Sequence, residues 1–148
     1  MRRVCCLLAA ALALGACSRS MQSAPEPEFL TPYGRPRNPF SPAVRVGNWL
    51  FLAGQIGTDT AGRVVPGGIQ AEARQTLNNI KDVLEKSGSS LDRVVKCTVF
   101  MADMKEWPAM NEIYATYFRN HFPARSAFGA TGLALNARVE IECIAVMN

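Results

Sequence analysis

Five consecutive apolar residues, Trp49-Leu50-Phe51-Leu52-Ala53, constrain this chain more than any other stretch. They open a β-rich segment that runs to Ile56. Successive side chains of a strand point to opposite faces, so an unbroken apolar run needs both of its faces out of water. The β-rich stretch Ala43–Val46 precedes it, and Gly47-Asn48 between the two suits a tight hairpin turn. The sequence therefore predicts an antiparallel pair that must be covered on both sides.

Helices of the same chain can cover one side. Ile69, Ala73, Leu77, Ile80, Val83 and Leu84 recur at helical spacing, which predicts a helix over about Ile69 to Lys86, ended at Ser87-Gly88. The β-branched run Val94-Val95-Lys96-Cys97-Thr98-Val99 predicts a third strand, from Arg93 to Met101. A second helix follows with Pro108 in its first turn and Met110, Ile113, Tyr114 and Tyr117 as its buried stripe. Strands from about Arg125 and from Arg138 to Met147 close the body. The order is β-β-α-β-α-β-β, an α+β domain with two helices on one face of a mixed sheet. Two helices leave the other sheet face bare, and a second copy of the chain is the simplest cover, so a homo-oligomer is expected.

The N-terminus has a different character. Met1-Arg2-Arg3 precedes an apolar run from Val4 to Leu14, which is the pattern of a secretory signal and too short to span a bilayer. Leu14-Gly15-Ala16-Cys17 is similar to a bacterial lipobox, which predicts a lipoprotein signal peptide over 1–16 and lipidation at Cys17. Ser18 after the cysteine is similar to Gram-negative lipoproteins addressed to the outer membrane and facing the periplasm. Prolines at 25, 27, 32, 36, 39 and 42 favour extended, solvated chain, so residues 17–42 are expected to form a tether and 43–148 the folded domain.

Charge and composition exclude several classes. The formal net charge of +4 falls to about +2 once Arg2 and Arg3 are removed with the signal, and no basic stretch is interleaved with aromatics, so a nucleic-acid partner is not expected. One histidine, His121, and no Cys-x-x-Cys leave too few ligands for a zinc or copper site. Cys97 and Cys143 read first as small core residues; an oxidising periplasm would permit a disulfide, but sequence alone does not place the two within bonding distance.

Six short motifs then stand in order: Asn38-Pro39-Phe40-Ser41, Phe51-Leu52-Ala53-Gly54-Gln55-Ile56, Asp92-Arg93-Val94-Val95-Lys96, Met110-Asn111-Glu112-Ile113-Tyr114, Phe122-Pro123-Ala124-Arg125-Ser126 and Val139-Glu140-Ile141-Glu142. Together they make the body, from Phe40 to Met147, resemble the RidA/YjgF family. The resemblance implies a chorismate-mutase-like fold and a homotrimer with sites between subunits. It also implies hydrolysis of reactive enamine or imine acids such as 2-aminoacrylate to keto acids and ammonia, without metal or organic cofactor.

Hydrolysis of a small imino acid asks for a cation to hold the carboxylate, a group to orient water and a lining that limits bulk solvent. Arg125 suits the first role, because guanidinium offers a planar fork of donors and keeps its charge; it matches the family's substrate-binding arginine. Glu140 matches the family's water-positioning glutamate. Period two places Glu140 and Glu142 on one side of the last strand, opposite Val139, Ile141 and Cys143, and Glu142 is read as structural. Asn111 matches a family position near the site, where it could meet substrate or loop, or instead satisfy backbone. Ser126 lacks a neighbouring base and reads as a hydrogen-bond donor to backbone or substrate rather than a nucleophile. Gly54 allows a close approach of chain or ligand, or marks a bulge.

The chain departs from the family at two positions. Phe40 stands where tyrosine is common, keeping the ring without the hydroxyl, and Ala127 stands where many members carry cysteine. If the tyrosine hydroxyl orders the catalytic water, activity here is expected to be weaker or the substrate different. The expected location, outside the cytoplasm where pyridoxal enzymes generate 2-aminoacrylate, keeps a second function open beside the imine hydrolase: a non-catalytic module at the cell envelope that binds small carboxylates through the same Arg125 pocket.

Overall fold

The computed structural model describes residues 23–36 and 38–148, so the expected signal peptide and Cys17 lie outside the described residues. Strands β1 (Pro27–Leu30), β2 (Ala43–Val46), β3 (Trp49–Leu52) and β4 (Gln55–Ile56) lead into helix α1 (Gly68–Lys86). Strand β5 (Val94–Met101), helix α2 (Trp107–Tyr117), β6 (Ala124–Gly129) and β7 (Val139–Val146) complete the chain. All strands join one sheet of spatial order β1-β2-β3-β7-β5-β6, with β4 pairing β7 beyond the end of β3. Among the described strands only β5 and β6, linked through α2, run parallel; the other pairs are antiparallel. The sheet is thus mixed, and both helices pack on one of its faces, as the patterning predicts.

Alternation along the strands decides what each face carries. Leu50, Leu52, Cys97, Val99, Val139, Ile141 and Cys143 are buried on the helix side against Leu77, Ile80 and Leu84 of α1 and Met110 and Tyr114 of α2. The helices end and begin where the sequence places them. The Ser89 N–H donates to the Leu84 carbonyl across Gly88, which takes the left-handed φ of 82° that such a helix end requires. Pro108 sits in the first turn of α2, where its missing N–H costs nothing. On the opposite face Trp49, Phe51 and Phe128 remain 49%, 42% and 48% exposed, a bare apolar surface of the kind that calls for a covering partner.

Two expectations are corrected. Part of the proline-rich segment is not free tether: β1 pairs antiparallel with β2 from Pro27↔Val46 to Leu30↔Ala43. Proline is compatible with this strand because Pro27 is its first residue and the strand is at the sheet edge. Downstream, the Tyr33 hydroxyl donates to Asp82 of α1 at 2.7 Å, so the folded body reaches well upstream of residue 43. The second correction concerns Cys97 and Cys143, which are not merely small core residues. They face each other across β5 and β7, their Cα atoms 4.1 Å apart, and form a disulfide. That pairing depends on β7 inserting between β3 and β5, an order that no local pattern reveals.

The predicted strand 49–56 is also interrupted. Phe51 pairs with Ile144 and Gln55 with Ile141, so Leu52, Ala53 and Gly54 stand against only Glu142 and Cys143. This extra residue is a bulge, and Gly54 lies in it.

Candidate active site

Arg125 sits on β6 beside Cys97 of β5, and alternation turns its side chain, with that of Ala127, toward the helix side. There it meets one stripe of α2. Trp107, Asn111 and Tyr114 follow the i, i+4, i+7 spacing that aligns side chains along one helix face. The Arg125 guanidinium lies over the rings of Tyr114 and Trp107, 4.4 Å and 4.6 Å from their centroids. Arg125, Asn111, Tyr114, Ala115, Phe122 and Pro123 line a depression of about 360 Å³. Among the described residues no carboxylate comes within 4.0 Å of Arg125, so its charge is balanced by no ion pair.

Two polar atoms beside this fork lack a full partner. Among the described residues, buried Asn111 Oδ1 makes no hydrogen bond, and the buried Tyr114 hydroxyl makes none of good geometry, although it lies close enough to the Arg125 guanidinium to feel its N–H groups. Buried polar atoms are normally paired, so such a pair lining one depression marks a place for a ligand. Burial pushes the Tyr114 hydroxyl up to about 12, against the opposing pull of the Arg125 charge, so it stays protonated at neutral pH. Arg125 and Asn111 are therefore brought together as the motifs imply. Asn111 leaves its side-chain oxygen unpaired rather than satisfying backbone.

Glu140 belongs to a second patch. On β7 it pairs with Ile56 of β4 and Phe100 of β5, and its side chain points to the sheet face opposite the helices, as does that of Glu142, which is exposed. A Cβ built on Gly54 would stand 2.9 Å from the carboxyl carbon of Glu140 and nearer still to its Oε1. Gly54 is thus both a bulge and a close approach, and the group that approaches it is the Glu140 carboxylate. The Phe40 loop joins this region through the Ala53 N–H, which donates to the Pro42 carbonyl at 3.0 Å. Phe40 is 53% exposed and lines a separate depression with Tyr33, Arg35 and Asn38.

One chain therefore carries Arg125 and Glu140 in two separate patches. Arg125 lies on an edge strand on the helix side; Glu140 lies two strands away on the other side. Ser126 is exposed on the face opposite Arg125, so adjacency in sequence does not bring it to the guanidinium. His121 is exposed in the loop before β6, with no part in either patch. Trp107 and Tyr114 are functional candidates that sequence reasoning assigned to packing or passed over. Their seven-residue separation around Asn111 is the signal that would have found them.

A polar tie runs close to both patches. Glu72 of α1, 5% exposed, accepts the Arg138 N–H at 2.7 Å, and the Arg138 guanidinium pairs with Glu106. Arg138 is two residues before Glu140 and Glu106 immediately precedes Trp107, so one network anchors the starts of β7 and α2. Chemically, the chain offers a fixed cation for a small acid in one patch and a carboxylate able to orient water in the other. Among the described residues no three His, Cys, Asp or Glu side chains group as a metal site, and no helix is long and apolar enough to cross a membrane.

Comparison with known proteins identifies relatives over the same region. The family model for endoribonuclease L-PSP matches residues 33–147. A mouse (Mus musculus) protein named 2-iminobutanoate/2-iminopropanoate deaminase is 45% identical over 109 residues, 73% of this chain and 81% of its own length. The crystal structure of the E. coli YjgF gene product superposes with a TM-score of 0.71 at 35% identity, covering 76% of this chain and 91% of that one. E. coli TdcF, solved with bound serine, gives a TM-score of 0.71 at 30% identity over 86% of this chain and all of its own. With the six motifs in order, the two-helix mixed sheet and this coverage, the chain belongs to the endoribonuclease L-PSP family, the RidA/YjgF family.

Proposed function

We propose that this protein hydrolyses small imino and enamine acids of the 2-aminoacrylate type, adding water at the C=N carbon and releasing the keto acid and ammonia. The observation that carries the reading is the Arg125 guanidinium, half-buried, stacked on two rings and without an anionic partner among the described residues, beside the buried Asn111 Oδ1 and Tyr114 hydroxyl. Relatives named 2-iminobutanoate/2-iminopropanoate deaminase support the reaction class, and the serine bound by TdcF is a small molecule bearing a carboxylate. In this scheme Arg125 grips the substrate carboxylate with two parallel hydrogen bonds. Once an enamine has tautomerised to its imine, Glu140 orients the attacking water and takes its proton as the C–O bond forms and the C=N π bond opens; the proton passes to nitrogen, and collapse of the carbinolamine breaks the C–N bond to release ammonia and the keto acid.

Because Arg125 and Glu140 face opposite sides of one sheet, a complete site needs two chains. A homotrimer with its sites between subunits meets that need and would also cover Trp49, Phe51 and Phe128. The test generates 2-aminoacrylate with a serine dehydratase and follows its loss in the presence of protein lacking residues 1–20. Acceleration that falls by at least about a hundredfold in Arg125→Ala supports the hydrolase. A rate equal to buffer alone rejects it. Phe40, which lacks the tyrosine hydroxyl common at its position, favours the second reading of a small-carboxylate binding module, and keto-acid binding without turnover would select that reading.

For its location we propose the cell envelope, through a lipid on Cys17 after removal of residues 1–16, on the outer membrane and facing the periplasm. The lipobox-like Leu14-Gly15-Ala16-Cys17 supports this, and a disulfide between Cys97 and Cys143 suits an oxidising compartment. A Cys17→Ser chain that still incorporates radiolabelled palmitate would end the proposal.

A further inference from the structure

Tyr114 is 3% exposed and packs on Phe118, their ring centroids 4.7 Å apart. A purely structural role there would be filled as well by phenylalanine, which would leave no buried hydroxyl without a partner. The hydroxyl stands instead beside a guanidinium whose plane nothing else fixes: Arg125 has no ion pair among the described residues, and its visible restraints are the rings of Tyr114 and Trp107. A free arginine side chain samples many rotamers, and a fork meets a carboxylate with two bonds only when its plane is set beforehand.

We infer that Tyr114 is a positioning residue that acts through Arg125: its ring carries the guanidinium, with Trp107, and its hydroxyl receives one guanidinium N–H as the fork turns to the substrate carboxylate. The inference rests on the carboxylate-gripping role of Arg125 proposed above. It assigns to α2 the setting of substrate affinity, separate from the water-orienting chemistry of Glu140 on the other sheet face. The raised ionisation of the hydroxyl keeps its oxygen neutral, so it neither repels the incoming carboxylate nor pairs with Arg125 as a competing anion.

The experiment compares Tyr114→Phe and Tyr114→Leu, each in the wild-type and Arg125→Ala backgrounds, in the full chain. It measures KM and kcat for 2-aminoacrylate and the Kd of 2-oxobutyrate by calorimetry. Loss of the ring should raise KM and Kd about tenfold and loss of the hydroxyl about threefold, with kcat unchanged. Both effects should vanish when Arg125 is alanine, which a merely structural role would not produce. Tyr114→Phe preserves the packing, so the inference stays falsifiable even where Tyr114→Leu fails to fold. Wild-type KM and Kd in Tyr114→Phe, or the same loss with and without Arg125, overturns it while leaving the hydrolase intact. A wild-type chain that binds 2-oxobutyrate without turnover refutes the hydrolase alone, and Kd then decides the role of Tyr114. A wild-type chain that neither turns over nor binds refutes both.

Discussion

Consider two chains, each crippled in a different patch. Arg125→Ala removes the two-bond carboxylate grip, and hydrogen bonds from a charged donor are worth about 1.5–3 kcal/mol each, so kcat/KM should fall by at least about a hundredfold. Glu140→Gln keeps size and polarity but cannot take a proton, and a positioned general base is worth about a hundredfold or more. The structure puts these groups on opposite faces of the sheet, so each working site is expected to draw Arg125 from one subunit and Glu140 from its neighbour. When equal amounts of the two variants are co-refolded, half of the subunits carry an intact arginine and half an intact glutamate. About one site in four then receives both. The mixture should recover roughly a quarter of wild-type activity, at least about 25-fold above either parent, whereas each parent refolded alone should recover nothing. Native mass spectrometry verifies that subunits have mixed. Activity equal to the average of the parents in a verified mixture would refute the two-chain site, because a site built within one chain gains nothing from mixing.

The neighbouring glycines 54 and 57 offer a matched pair. Gly54→Ala drives a methyl against the movable end of Glu140 and should cut kcat about a hundredfold while leaving the unfolding midpoint nearly unchanged; Gly57→Ala meets the α1 backbone of Glu72, 2.7 Å from its carbonyl oxygen, and should instead lower stability by about 1–3 kcal/mol in urea melts. The disulfide closes a loop across a sequence separation of 46, so the double replacement of Cys97 and Cys143 by alanine should lower unfolding free energy by about 2–4 kcal/mol, and coincident denaturation curves would show that the bond contributes nothing. Burial raises the hydroxyls of Tyr114 and Tyr117 above the ordinary tyrosine value. The folded chain therefore holds those protons more tightly: the Tyr114 contribution is fully present below about pH 10 and is lost as pH climbs toward 12, and Tyr117 acts in the same direction. Thermal melts should show that decline, and Tyr114→Phe should make it shallower.

The order of strands and helices was legible because each carries its own period: six apolar positions at helical spacing for α1, a β-branched run for β5, and Pro108 at the start of α2. Glu140 and Glu142 were assignable to one face by counting in twos. Strand partnership was less accessible. Neither the Cys97–Cys143 bond nor the opposition of Arg125 and Glu140 across the sheet follows without knowing that β7 lies between β3 and β5 and that β6 runs parallel to β5. Strand β1 was hidden for another reason: prolines at 25, 27 and 32 dominate the local composition, yet only Pro27 is in the strand, at its first position. Trp107 and Tyr114 were read as packing or left aside because an aromatic at helical spacing satisfies a core equally well, and the guanidinium above them, without an ion pair among the described residues, distinguishes the two roles.

Strand β1 also sets a length. With the sheet beginning at Pro27, only residues 18–26 separate it from the cysteine proposed to carry lipid, and nine residues of fully extended chain reach about 30 Å at most. A trimer so anchored would be held at three points, each raising the effective concentration of the others at the bilayer. Its catalysis would then be confined to a thin layer over the membrane, where encounter with substrate is governed by surface density rather than by the volume of the compartment.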